Sequence, residues 1–194
     1  YCDFCRIITN EDTKRKWMVQ IIEEIKQKNI HEADTLYFGG GTPSSLTCEQ
    51  FEKIASLFNV SKEFTVECNP ESLDLEKIQL YKKLGVNRIS LGVQTFNDRL
   101  LKVINRKHRK EDIFQVIQLL KENGIDNISI DLMYALPEQS LEDIKKDLEI
   151  FLDLDIKHLS IYSLQIEENS IFGRQNLKPV DEDTLIPAVK IAIH

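Results

Sequence analysis

No apolar run in this chain approaches the ~18 residues that a membrane-spanning helix needs, and no basic-then-apolar segment opens it. The expectation is a cytoplasmic protein without an integral membrane segment. Positive charge is not in excess either, with 25 Lys and Arg against 32 Asp and Glu. A net charge of −7 argues against broad, phosphate-driven binding of nucleic acid. Low complexity is excluded by a hydrophobic share of 42% beside 29% charged residues. At 194 residues the chain is about one domain, able to bury roughly 70% of its unfolded surface without a disulfide or metal staple. Glycine is scarce, with 7 in the whole chain against a usual share of about 7%.

Three of those 7 glycines stand together as Gly39-Gly40-Gly41. Such a concentration predicts torsions, or a close approach of backbone, that a Cβ would forbid. The triplet is not a phosphate-binding loop, because Lys and Ser/Thr do not follow it in the required places, and it lacks the GxGxxG spacing of a dinucleotide site. Open amides and carbonyls of a glycine run can instead pair with an amine or a carboxylate, such as the methionine end of S-adenosylmethionine. The cysteines are Cys2, Cys5, Cys48 and Cys68. Cys2-Asp3-Phe4-Cys5 is a bare CxxC, open to readings as half a zinc site, a redox pair or two ordinary thiols. No second metal-spaced pair accompanies it, and plain burial accounts for Cys48 and Cys68.

Periodicity places helices and strands in alternation. Trp17, Ile21 and Ile25 mark an amphipathic helix over Thr13–Lys28, followed by a strand at Thr35–Phe38. Further helices are expected at Glu49–Phe58, Leu73–Leu84, Glu111–Glu122 and Leu141–Leu152, the last capped by Ser140. Strands are expected at Phe64–Val66, Arg88–Val93, Asn127–Leu132 and His158–Tyr162. Gly85-Val86-Asn87-Arg88-Ile89-Ser90-Leu91 recurs as Gly124-Ile125-Asp126-Asn127-Ile128-Ser129-Ile130 and as Asp155-Ile156-Lys157-His158-Leu159-Ser160-Ile161. Helix-plus-strand repeats of this kind build a parallel β/α barrel or an open doubly wound sheet. Lys178 to His194 reads as one more helix, interrupted by Pro187.

In such folds the chemistry gathers at the C-terminal ends of the strands. The expected strands deliver Gly39-Gly40-Gly41-Thr42-Pro43, Glu67-Cys68-Asn69-Pro70, Gln94-Thr95-Phe96-Asn97, Asp131 and Ser163 to that side. A glycine-rich turn with two carboxylates and an amide on one rim favours a polar small-molecule site. Taken alone, Arg106 in Asn105-Arg106-Lys107-His108-Arg109-Lys110 reads as a solvated basic patch.

Tyr1-Cys2-Asp3-Phe4 resembles the tail of the CxxxCxYC motif of radical S-adenosylmethionine enzymes, whose three thiolates hold a [4Fe-4S] cluster. Phe38 to Ser44, Glu67 to Pro70, Arg88 to Phe96, Asn105-Arg106 and Ile130 to Pro137 resemble, in order, the blocks of the oxygen-independent coproporphyrinogen III oxidase group. That group contains the oxidase and a heme chaperone branch, and the Cys-Asp-Phe run is more similar to the chaperone branch. The resemblance spans nearly the whole chain. It implies an α/β fold, a partial (β/α)6 TIM-like radical SAM barrel lacking its first strand, with 1–177 as barrel core and 178–194 opening a C-terminal extension.

The resemblance also implies roles. Cys2 is the third cluster thiolate, Tyr1 lies against the cofactor, and Cys5 is a bystander thiol. Gly40, Gly41, Thr42, Glu67, Gln94, Arg106, Asp131 and Ser163 fall on S-adenosylmethionine-binding positions, Arg106 suiting the methionine carboxylate. No residue is singled out as catalytic. Because the chain begins inside the cluster motif, the expectation is that this polypeptide alone does not hold the cluster. The implied partners are porphyrinogen or heme, an electron donor and a heme-acceptor protein. Three functions follow: a heme chaperone, an oxidase decarboxylating propionate side chains by radical chemistry, or a cluster-free metabolite-binding barrel.

Overall fold

Five parallel strands form one sheet in the computed structural model, which describes residues 10–168, 170–181, 183 and 185–187. They are β1 (Glu32–Phe38), β2 (Asn59–Cys68), β3 (Arg88–Gln94), β4 (Asn127–Tyr134) and β5 (His158–Ser163). Their order in space is their order in sequence, so each crossover steps to the next strand and the sheet has no switch point. A doubly wound sheet reverses direction part-way. A sheet that always adds on the same side curls, and this one forms half a barrel.

Seven helices link and flank the strands among the described residues: α1 (Glu11–Lys28), α2 (Cys48–Ala55), α3 (Leu75–Lys83), α4 (Asp98–Val103), α5 (Lys110–Glu122), α6 (Leu141–Asp153) and α7 (Ile171–Arg174). Local chemistry sets their ends. Asn10 accepts from the Thr13 amide at 2.8 Å to start α1, and Thr47 with Gln50 makes a reciprocal capping box on α2. Ser140 caps α6 as expected, its hydroxyl accepting from the Asp143 amide at 3.2 Å.

The strand pleat sorts the residues of the sheet. One parity, Phe64, Val66, Ile89, Leu91, Val93, Ile128, Ile130 and Leu132, is buried beneath the helices against Phe51, Ile78, Tyr81, Ile113, Leu120 and Leu148. Each such side chain contributes about 1.5–3 kcal/mol on burial. Phe38, Phe51, Phe64 and Tyr81 form an aromatic knot under β1 and β2, with Phe51 and Tyr81 centroids 4.2 Å apart. The other parity is polar: Thr65, Glu67, Ser90, Ser129 and Asp131 line the concave side. Hydrogen bonds run across it from Ser90 to Asp131 and between Ser129 and His158.

The internal repeat survives in three dimensions. Gly85 (φ +87°), Gly124 (φ +74°) and Asp155 (φ +49°) occupy equivalent left-handed positions between helix and strand. Equivalent lysines bridge neighbouring units, Lys82 Nζ donating to the Gly124 carbonyl at 2.5 Å and Lys121 Nζ to the Leu154 carbonyl at 2.8 Å.

Three sequence expectations need correction. Trp17 is 46% exposed, and the buried stripe of α1 runs instead through Met18, Ile21, Ile22 and Ile25. Spacing by four drifts about 40° per step around a helix, whereas offsets of three, four and seven stay on one face. β2 extends to Asn59, far ahead of Phe64, because its polar first half pairs with β1 and Asp34 ties down Ser61 and Lys62 at 2.6 Å each. The irregular stretch before α5 holds the short helix α4, started by Asn97, whose side-chain oxygen accepts from the Arg99 and Leu100 amides. Most of the helix expected from Lys178 falls on residues outside those described.

Candidate S-adenosylmethionine site

The rim begins at the end of β1. Gly40 and Gly41 adopt φ of +75° and +57°, which L side chains rarely enter, and open space lies where their Cβ atoms would stand. At Gly39 the constraint is proximity instead, since a Cβ there would come within 2.6 Å of the Tyr37 ring and 3.0 Å of Glu67 Oε1. Both reasons for spending glycine on this turn, torsion and close approach, are therefore present in one triplet.

Glu67, near the end of β2, holds the turn with both oxygens. Oε2 accepts from the Gly40 amide at 2.9 Å and Oε1 from the Tyr37 hydroxyl at 2.7 Å. Burial, then the neighbouring Glu67 and the charge of Asp131, push the Tyr37 phenol up to about 12, so Tyr37 stays a donor. A second chain of contacts runs along the same edge. Thr42 donates to the Gly41 carbonyl at 2.6 Å and accepts from Asn69 Nδ2 at 3.5 Å, while Asn69 Oδ1 accepts from Arg106 Nη1 at 3.0 Å. Thr42, Asn69 and Arg106 thus form one polar string from the glycine turn to the loop after α4.

Arg106 is half-buried, with Lys107 and Arg109 exposed on either side of buried His108. The basic run is therefore split: two cations face water, and Arg106 turns inward to the rim. Gln94 closes β3 at φ +70° and is 7% exposed, where the β3–β4 register slips. Gly92 makes room for it, because a Cβ there would sit 3.0 Å from Asn69 Oδ1 and 3.1 Å from Gln94 Nε2. Asp131 lies on the concave side of β4, accepting from Ser90 at 3.1 Å. Burial raises its carboxyl above the ordinary range, with the charge of Glu67 adding to the rise and Ser90, Ser160 and Arg88 opposing it. Ser163 ends β5, in register with Tyr134. Tyr1, Cys2 and Cys5 lie outside the described residues.

Gly40, Gly41, Thr42, Glu67, Gln94, Arg106 and Asp131 thus share one rim, joined by Asn69, Tyr37, Ser90 and Gly92. Asn69 was visible only as one residue of a strand-end run. Tyr37 and Ser90 had no signal beyond strand parity. The donor set suits a zwitterion with a sugar: a guanidinium for a carboxylate, carboxylates for an ammonium or ribose hydroxyls, and unhindered glycine backbone beside them.

The radical SAM superfamily profile matches residues 1–151. The chain belongs to the radical SAM superfamily. It is 42% identical over 178 residues to the heme chaperone HemW of Lactococcus lactis, covering 89% of this chain and 47% of that protein. With HemW of Bacillus subtilis it shares 37% over 200 residues, covering 94% and 53%. Among solved structures, the coproporphyrinogen III oxidase HemN of Escherichia coli, a radical SAM enzyme, superposes with a TM-score of 0.85 at 24% identity, over 99% of this chain and 48% of that one. The chain spans about half the length of the curated relatives it matches. Family membership brings S-adenosylmethionine and a [4Fe-4S] cluster with it, and the cluster-free barrel among the sequence-based readings is not supported. Among the described residues no helix is long and apolar enough to cross a membrane.

Proposed function

We propose that this radical SAM half-barrel binds S-adenosylmethionine on the rim above β1 to β4 and belongs to a heme chaperone acting in heme metabolism. The observation that carries the reading is the convergence of Arg106, Glu67, Asp131 and the open Gly40-Gly41 turn on one edge. Arg106, steadied on Asn69, takes the methionine carboxylate. Glu67, already holding the Gly40 amide, offers its remaining lone pairs to the ammonium. Asp131 accepts from ribose hydroxyls, and Thr42, Gln94 and Ser163 complete the pocket.

Cys2 is the proposed thiolate of this chain for the cluster, with Tyr1 beside the cofactor. A [4Fe-4S] cluster held there would supply the electron for reductive cleavage of the bound sulfonium. The protein's own share is to orient the cofactor and keep water away from it. Similarity to HemW supports the chaperone; 30% identity over 209 residues to the oxygen-independent coproporphyrinogen III oxidase of Escherichia coli supports a second reading, oxidative decarboxylation of porphyrinogen propionates. The cytoplasm, an electron donor and a heme-acceptor protein belong to the same proposal.

The test is iron and acid-labile sulfide per chain in the full-length protein after anaerobic reconstitution, with Cys2→Ala as control. About four of each, lost in the control, are expected for a cubane cluster. Stoichiometric heme binding without turnover then supports the chaperone, and turnover of coproporphyrinogen supports the oxidase. Iron-free protein overturns the cluster assignment.

A further inference from the structure

Arg106 is reached by a loop of six residues, 104–109, between α4 and α5, and the loop has an unusual anchor. It turns at Asn105 (φ +57°), with the Asn105 amide donating to Lys102 and the Arg106 amide to Leu101. Two residues on, the His108 side chain is fully enclosed. Its Nδ1 lies 2.8 Å from Glu71 Oε2 and its Nε2 lies 3.2 Å from the Val93 carbonyl oxygen.

A carbonyl only accepts, so Nε2 carries a proton. Burial by itself would raise the Glu71 carboxyl, yet hydrogen bonds from His108 and the backbone, with the charge of Arg106, hold it below its ordinary range. His108 thus has an oxygen against each ring nitrogen. The ring ties together the end of β3 beside Gln94, the turn Pro70–Ser72 that follows Asn69, and its own loop. Arg106 and His108 thus grip the same neighbouring segment, through Asn69 and Glu71 respectively.

We propose that His108 is a positioning residue: a buried imidazole ring, clamped between Glu71 and the Val93 carbonyl, that fixes the direction in which Arg106 presents its guanidinium to a ligand carboxylate. This rests on the reading that Arg106 takes the methionine carboxylate of S-adenosylmethionine. Without the clamp the fold of the half-barrel persists, but residues 105–109 lose their internal tether.

Two measurements test it. In full-length protein labelled with [15N]histidine, Nε2 of His108 is expected to carry a proton as the donor to the Val93 carbonyl; an unprotonated Nε2 overturns the clamp. S-adenosylmethionine affinity, measured by equilibrium dialysis, is expected to fall about tenfold or more in His108→Ala and in Arg106→Ala. The double variant is expected to bind no worse than Arg106→Ala, since residues acting through one contact do not add. A merely structural His108 lowers thermal stability without this coupling. If His108→Ala does not fold, His108→Gln, which keeps a donor toward Val93, carries the same cycle with a smaller loss. Wild-type affinity in the His108 variants, or losses that add, refute the positioning role alone. Absence of binding in the wild type refutes the underlying reading and the proposal with it.

Discussion

Asp147 of α6 is the clearest place where burial and ionisation conflict, and its isosteric replacement reads the conflict directly. The side chain is 4% exposed, and Oδ1 accepts from the Phe96 amide at 2.8 Å, with Thr95 alongside. Burial raises its carboxyl from 3.8 to about 6, against the opposing hydrogen bonds. A raised carboxyl favours the protonated form in the folded state, so the penalty is absent below the unfolded value and grows as pH climbs to about 6. Two units at about 1.4 kcal/mol each give roughly 3 kcal/mol of destabilisation at pH 7. Asp147→Asn removes the charge and keeps the acceptor for Phe96. Its amide must donate toward Thr95, whose oxygen already accepts from Asn97, which costs about 1 kcal/mol. The expected result is a variant more stable by about 2 kcal/mol at pH 7 and not more stable near pH 4. Urea midpoints for both proteins across that range are the assay. A wild-type-minus-variant difference that does not change with pH would refute the argument, because it would mean the carboxyl ionises as easily in the fold as outside it.

Other substitutions probe separate features. Asp155→Gly, placing glycine where the other two repeats have it, is expected to stabilise by about 0.5 kcal/mol once the relief of left-handed strain is set against unfolded-state entropy, whereas Gly124→Ala destabilises by about 1 kcal/mol or more; thermal denaturation reads both. The Tyr81 hydroxyl is buried without a hydrogen-bond partner among the described residues, so Tyr81→Phe is expected to be neutral or stabilising by about 1 kcal/mol in the same assay. Gly92→Ala forces Asn69 and Gln94 apart and is expected to weaken S-adenosylmethionine binding at least tenfold while leaving the circular dichroism spectrum unchanged. Binding equal to the wild type would show that neither side chain contributes to the rim.

The fold was legible wherever one face of an element is buried. α5 was visible because Ile113, Val116, Ile117 and Leu120 keep a single apolar stripe, and they are all buried. α1 was visible but misrotated, since Trp17 outweighs Met18 by eye though not by phase. The first half of β2 was hidden because side chains of an edge pairing are polar on both sides, and ladder hydrogen bonds leave no mark in composition. For the site, the glycine triplet and Glu67 announced themselves by type and position. Arg106 did not: only the alternation of buried and exposed residues around His108 distinguishes it from a surface patch, and that alternation comes from contacts with Glu71 and Val93, more than ten residues away in the chain. His108 itself was one of four scattered histidines in the sequence.

The repeat explains why these two kinds of information separate. At the end of the sheet where strands begin, the units agree: a left-handed turn at Gly85, Gly124 and Asp155, a buried aliphatic after each, and lysines from α3 and α5 reaching the next unit's turn. Each unit there solves the same problem, turning a helix into a strand and sealing it against its neighbour, so similar residues recur. At the other end the units share nothing: a glycine run after β1, a polar turn after β2, a left-handed glutamine and short helix after β3. No common packing problem imposes those differences, because the loops face the open mouth. Stability therefore resides at the repeating end, and the proposed ligand recognition at the irregular one. Substitutions at Gly85, Lys82 or Lys121 should accordingly lower the unfolding free energy while leaving S-adenosylmethionine affinity of the folded protein unchanged, and substitutions at Asn69 or Arg106 should do the reverse. A repeat-end variant that weakened binding at full folding would show that the two ends are mechanically coupled through the strands.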